Sequence, residues 1–258
     1  MIVAPIPARL WLLPVVLFVL TAPLWLHTFE PGMFVAINTW CAPVAATVWT
    51  GLSLLGNAWG ILGVTAPLLV LAPRLMWAWL CAAPFAVAFA RIGKGLLESP
   101  RPAAEVDNAQ MRIVGETLHN VSMPSGHTLT AFAVASAIYF ALPEKGRIRH
   151  LWLFVLAAGT GLSRIAVGAH WPGDVAVGLC LGLLAGMLGT RLLARMDAKH
   201  VQPTAWSLRL VALLLGVTAY ALVTEAQDFD ENQPLQYVLV LVVLGTLARF
   251  VQQSRVKP

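Results

Sequence analysis

Residues 163–174 read SRIAVGAHWPGD and set Arg164, His170 and Asp174 between two long apolar stretches. Two further stretches bring side chains of the same kind. KGLLESPRP carries Lys94 and, seven residues on, Arg101; PSGH runs from Pro124 to His127. Lys94, Arg101 and Arg164 are fixed positive charges, and the two guanidinium forks match phosphate oxygens. A helix that starts near Ser125-Gly126 points free backbone N–H groups at an anion, and a glycine there lets the anion come close. Such a set would hold a phosphoryl group and stabilise the charge that develops as it is transferred.

Two histidines divide the rest of the chemistry. Pro172 suits the first turn of a helix, so His170 and Asp174 stand at i, i+4 around a helix start. Asp174 would accept one ring N–H and leave the other nitrogen of His170 free to attack phosphorus. His127 would then be the general acid that protonates the leaving oxygen. Taken singly, each residue has a plainer reading. Lys94 or Arg101 would be an interfacial anchor, His127 a helix-start residue, and Asp174 an N-terminal cap. A His-His-Asp set would also suit zinc, but three neighbouring cations call for an anion, so no metal or other cofactor is expected. The joint occurrence of all six on one face argues for chemistry.

The elements that must position them are apolar helices. The chain has 258 residues, 59% hydrophobic and 11% charged, with a mean hydropathy of +0.76. A soluble domain would carry about 25% charged residues, so the composition points to a membrane protein. A crossing needs roughly 20 apolar residues. Eight stretches qualify: Leu10–Thr28, Leu52–Leu71, Leu75–Ile92, Pro124–Leu142, Leu151–Gly168, Val175–Leu192, Leu208–Val223 and Leu235–Phe250. The first reads as a retained helix, without the cleavage site of a signal peptide. Gly32–Gly51, broken by Asn38 and Pro43, reads as interfacial or re-entrant.

Charge then sets the orientation. With the N-terminus inside, the inner loops collect Arg9, Arg74, Lys145, Arg147, Arg149, Arg191, Arg195, Lys199, Arg209, Arg249, Arg255 and Lys257, which is 12 of the 17 basic residues. Of the 12 acids only Glu144 and Asp197 fall inside. This arrangement obeys the positive-inside rule and its inverse breaks it. A ninth span at Gly32–Gly51 would break it too. Glu98–Met123 becomes the sizeable outer loop. The outer basic residues are Arg91, Lys94, Arg101, Arg112 and Arg164, and three of these are the candidate phosphate ligands. The net charge of +5 has no basic stripe with interleaved aromatics, which argues against nucleic-acid binding. Cys41, Cys81 and Cys180 sit in apolar stretches without metal-type spacing and read as small buried hydrophobes.

The three motifs resemble the signature of the type-2 phosphatidic-acid phosphatase family, K-x6-RP, PSGH and SR-x5-H-x3-D, and all parts are present in order. The resemblance implies an all-α membrane bundle with a six-helix phosphatase core (residues 1–200). A C-terminal transmembrane helix pair (residues 201–258) would lie beyond it. It also implies metal-independent dephosphorylation through a phosphohistidine. His170 would be the nucleophile, in agreement with its spacing to Asp174; Asp174 would orient it and His127 would be the acid. Lys94, Arg101, Ser125, Gly126 and Arg164 would form the phosphate cradle. The soluble haloperoxidases of the same family share this cradle, but the apolar spans weigh against their chemistry.

These readings expect a multi-pass protein of the bacterial inner membrane, with both termini cytoplasmic and the active site on the periplasmic face. Its partners would be the bilayer and a membrane lipid phosphate, with oligomeric state left open. Undecaprenyl diphosphate, phosphatidic acid, phosphatidylglycerol phosphate and a lipid A phosphate all fit such a site, with undecaprenyl diphosphate or a similarly broad range preferred. A phosphotransferase using the same phosphohistidine, or a non-enzymatic lipid-phosphate binding or transport protein, are the alternatives. Both histidines and Asp174 count against the last, because binding needs only the cations. Gly178, Gly182 and Gly186 form a small-residue ladder suited to close helix packing within the chain. The acidic run EAQDFDE, Glu225 to Glu231, reads as a solvated turn, with contact to cations or a partner as the alternative. The helices after Leu192 receive no role.

Overall fold

The computed structural model describes residues 4–202 and 204–255. Lys257, counted above among the inner cations, lies outside the described residues. Thirteen α-helices follow one another among them. The first six are α1 (Leu13–Leu20), α2 (Ala22–Trp25), α3 (Gly32–Cys41), α4 (Ala46–Leu54), α5 (Ala58–Thr65) and α6 (Leu68–Leu71). Next come the long α7 (Pro73–Leu97) and the single turn α8 (Pro102–Glu105). The remainder are α9 (Gly126–Ala141), α10 (Trp152–Ala166), α11 (Pro172–Leu193), α12 (Trp206–Thr224) and α13 (Gln233–Arg255).

Four helical segments are long and apolar enough to cross a membrane: Pro73–Glu105, Pro172–Leu193, Trp206–Thr224 and Asp230–Arg255. The pair α3 and α4 would make a fifth, but its halves are bent by 109°. That bend is the geometry of a broken or re-entrant segment, as read for Gly32–Gly51. Ala8–Leu20 and Gly126–Ala141 are shorter, so the expected total of about eight is not reached by this measure. Nor is Leu52–Leu71 one helix. The Asn57 side chain accepts from the N–H groups of Trp59 and Gly60 at 2.9 and 3.2 Å, and so starts α5 afresh. Pro67 interrupts it again before α6.

α11 is the central element. It lies against α9 and α7, with α1 and α2 on its other side, while α10 bridges α9 and α4. Glycines make the closest of these contacts possible. A methyl group on Gly178 would lie 2.7 Å from the Ser125 carbonyl oxygen, and one on Gly182 would lie 2.5 Å from that of Leu129. One on Gly186 would fall 2.5 Å from Ser136 Cβ. The ladder therefore faces α9 of the same chain, where small residues let two backbones approach and gain dispersion contacts. Cys41, Cys81 and Cys180 are buried free thiols. The C-terminal helices α12 and α13 pack on each other and on α5 and α6. The loop joining them is thereby held over the N-terminal ends of α5 and α9.

Candidate active site

Two helix starts and one helix end meet at the site. Ser125 caps α9, and its own backbone N–H donates to the Asp174 carbonyl at 3.1 Å, which ties the start of α9 to the start of α11. Ser125 Oγ, fully buried, accepts from Thr128 Oγ1 at 2.9 Å. A Cβ placed on the next residue, Gly126, would meet nothing within 4 Å, so open space lies in front of this helix start. Arg164 and Ser163 end α10, and the chain then turns through Gly168 (φ +81°) to His170. Asn38 of α3 pins this turn. Its Nδ2 donates to the carbonyls of Ile165 (2.9 Å), Ala166 (3.2 Å) and Arg112 (3.1 Å), and its Oδ1 accepts from Arg112 N at 2.7 Å.

Pro172 opens α11 and Asp174 is its third residue. The Asp174 Oδ2 atom accepts from Trp171 N at 2.9 Å, so it does cap the helix. The same oxygen lies 3.1 Å from His170 Nδ1 and 2.5 Å from Ser122 Oγ. Capping and orienting are thus one arrangement. The other imidazole nitrogen, Nε2, stands 3.1 Å from Arg101 Nη1. Arg101, 4% exposed, is itself held by the Ala169 carbonyl at 2.7 Å and by Asn120 at 3.0 and 3.2 Å. Burial, with Arg101, Arg164, His127 and Lys94 close by, holds the His170 pKa well below its usual range. At neutral pH His170 is therefore an uncharged imidazole, with its ring held at Nδ1.

Arg164 is almost fully buried. Its Nη1 donates to Ser53 Oγ at 3.1 Å, Ser53 and Ser163 share a 2.8 Å hydrogen bond, and the guanidinium lies 5.5 Å from the Phe229 ring centroid. The Arg164 Nε atom is buried without a partner among the described residues. Lys94, in the last turn of α7, is half-buried. His127, in the first turn of α9, pairs through Nε2 with Asp228 Oδ2 at 3.0 Å.

The candidate site residues Lys94, Arg101, Ser125, Gly126, His127, Arg164, His170 and Asp174 lie around this one region. Sequence reading missed Ser53, Asn57, Asn120, Ser122, Asp228 and Phe229. Ser53, Asn57, Asp228 and Phe229 are far away in the chain, and no spacing rule connects them to the motifs. Asp228 belongs to the acidic run read as a solvated turn; its carboxylate instead faces the site. A cavity of about 180 Å³ lies alongside, with Arg164, Ala169, Asp228 and Phe229 in its wall.

Comparison with known proteins decides the family. The profile of the PAP2 superfamily matches residues 74–197. The decaprenylphosphoryl-5-phosphoribose phosphatase of Mycobacterium tuberculosis is 34% identical over 145 residues, 54% of this chain and 75% of that protein. The chain belongs to the PAP2 superfamily. A lipid A 1-phosphatase of Porphyromonas gingivalis is 40% identical over 89 residues, 34% of this chain but only 19% of that longer protein. The crystal structure of Aquifex aeolicus LpxE superposes with a TM-score of 0.54 at 24% identity, covering 62% of this chain and 93% of that one, which shows a shared fold. As a PAP2 protein with several long apolar helices, the chain is a multi-pass membrane protein. The matched region contains Lys94, Arg101, His127, Arg164, His170 and Asp174 but excludes Ser53, Asn57, Asp228 and Phe229.

Proposed function

We propose that this PAP2 protein is a metal-independent lipid phosphatase that works through a phosphohistidine on His170. The observation that carries the reading is the state of that ring. Nδ1 is held by a buried carboxylate and Nε2 stands beside Arg101, in a buried setting among cations that disfavours the imidazolium. In the first step the Nε2 lone pair forms the N–P bond while the bond from phosphorus to the leaving oxygen breaks, and His127 gives that oxygen a proton. In the second, water attacks phosphorus and returns a proton to His127. The N–P bond breaks, its electron pair returns to His170, and phosphate leaves.

Arg101, Arg164, Lys94 and the N–H groups at Ser125-Gly126 serve as the phosphate cradle. The buried Arg164 Nε is a donor still available to a phosphate oxygen, and Gly126 has space before it. Their charges offset the negative charge that builds on the phosphoryl oxygens, which is where most of the rate enhancement would arise. The phosphotransferase alternative shares the first step and differs only in the acceptor.

The substrate proposed is a lipid whose phosphate lies at the headgroup level. Undecaprenyl diphosphate or a phosphatidic-acid-like lipid comes first; the named relatives, a decaprenylphosphoryl-5-phosphoribose phosphatase and a lipid A 1-phosphatase, support a phosphorylated lipid as the substrate class. The charge asymmetry of the loops supports a site on the periplasmic side of a bacterial inner membrane. Phosphate release from undecaprenyl diphosphate and phosphatidic acid, in detergent with EDTA present, tests the reading. Release by wild type and its loss by at least about 1,000-fold in His170→Ala are expected, as for removal of a covalent nucleophile. Release that requires added zinc, or survives in His170→Ala, would overturn it.

A further inference from the structure

We propose that Asp228, carried by the loop between α12 and α13, is the positioning residue of His127. It holds that ring and balances the positive charge His127 bears as the acid of the reaction. The proposal rests on the phosphatase reading above and gives the C-terminal helices a part in the site.

The loop is fastened for this purpose. Asp228 Oδ2 accepts from His127 Nε2 at 3.0 Å and from Asn57 Nδ2 at 2.8 Å. Asn57 has no freedom to turn away, because its carbonyl oxygen is committed to the start of α5 and only its NH2 group remains to face the loop. On the far side, Asn232 Nδ2 donates to the Thr50 carbonyl at 3.1 Å. Between them Phe229, 6% exposed, lies against the Arg164 guanidinium. Asp228 takes a positive φ of 51°. A side chain in that left-handed conformation is disfavoured and persists where its surroundings over-determine it.

Charge supplies the reason. His127 faces Arg164 from α10, Arg101 from the start of α8 and His170 from the α10–α11 turn. Burial first, and then those charges, disfavour an imidazolium there, yet an acid must hold its proton until the leaving oxygen takes it. Asp228 is the carboxylate that faces the ring. Burial alone would push the Asp228 carboxyl up, but hydrogen bonds from His127 and Asn57 and the Arg164 charge outweigh it and hold it well below the usual carboxylate range. It is an anion at any working pH. With Nε2–H held by Asp228, the proton passed to the leaving oxygen is the one on Nδ1. The neutral ring then keeps Nε2–H on Asp228 and takes the proton of the attacking water at Nδ1.

Asp228→Asn keeps the shape and removes the charge. The measurement is kcat/KM, which reports through formation of the phosphohistidine, for phosphatidic acid and for p-nitrophenyl phosphate. The lipid's alkoxide leaving group needs a proton and nitrophenolate does not. A fall of roughly 10- to 100-fold is expected on the lipid, with no more than about a threefold change on the aryl ester. On the lipid alone, the basic limb of the pH profile should move to lower pH, and Asp228→Glu should restore it in part. Equal losses on both substrates with an unmoved basic limb would make Asp228 merely structural, and unchanged rates would make it irrelevant. Faster turnover would make it an obstruction of the anion site. Each of these overturns the proposal while leaving the phosphatase reading intact. A wild type that releases phosphate from no substrate would sink both.

Discussion

Gly178 offers a quantitative check on how the site is held together. A Cβ there would lie 2.7 Å from the Ser125 carbonyl oxygen, 3.1 Å from Thr128 Cβ and 3.3 Å from Leu129 N. Two of these atoms are backbone and the third is a β-branched carbon, so no flexible side chain can give way. Ordinary contact begins at 3.4 Å, so Gly178→Ala must move the start of α9 away from α11 by about 0.7 Å. The Ser125 N–H to Asp174 carbonyl bond, 3.1 Å long, joins the same two elements. A displacement of that size along it gives about 3.8 Å, past hydrogen-bond reach. Overpacking and the lost bond together should cost about 2–4 kcal/mol of stability. Because α9 carries His127 while α11 carries Asp174 and follows His170, the two rings proposed as catalytic would separate as well. A misplacement near 1 Å costs on the order of 100-fold in rate, so kcat should fall by roughly 10- to 100-fold. The assay pairs thermal unfolding in detergent with phosphate release. Gly216→Ala on α12 serves as the control, since its Cβ meets nothing within 4 Å. If Gly178→Ala unfolds and turns over like that control, the α9–α11 contact does not set the geometry of the site.

Gly126→Ala should behave in the opposite way. Its Cβ meets no protein atom within 4 Å, so unfolding temperature should stay the same, while kcat/KM should fall by roughly 10-fold or more as the methyl group intrudes on the anion; kinetics and a melting curve on one sample decide it. The pH profile carries a third expectation. On the proposed mechanism His170 attacks as the neutral ring, and burial and the surrounding cations lower its folded-state value well below 6.5. Lowering the pH through 6.5 therefore leaves the nucleophile competent, and the acidic limb of kcat/KM assigned to it should appear only well below that pH. An acidic limb centred at 6.5 or above would refute the crowding of positive charge around His170.

The parts of the site that were legible in the sequence are those set by short-range geometry. His170 and Asp174 sit four apart around Pro172, and a helix start there fixes both the cap and the ring partner of Asp174. PSGH announces a helix start because serine and glycine are what a capped, closely approached N-terminus needs. The glycine ladder was legible for the same reason, its four-residue repeat being the period of one helix face. Span counting fared less well. Leu52–Leu71 is apolar enough for one crossing, but Asn57 spends its side chain starting a new helix and Pro67 interrupts it again. Hydropathy averages over such breaks, while a hydrogen-bonded cap decides them locally.

What stayed hidden shares one property: it depends on contacts across many residues. Ser53 meets Arg164 across 111 positions, and Asp228 meets His127 across 101. An acidic run between two apolar helices looks like a solvated turn, because that is the cheapest place for carboxylates. It ceases to be one when a helix pair folds its loop back over buried cations. The two histidines then differ in how their carboxylates reach them. Asp174 comes with His170 in one helix start, so the carboxylate partner of the proposed nucleophile is inseparable from the motif. Asp228 comes from a helix pair outside the matched family region. The charge balance at the acid can therefore be altered by changing that loop while the nucleophile stays as it is. On the proposed mechanism, proton donation and phosphoryl capture are thereby under separate structural control.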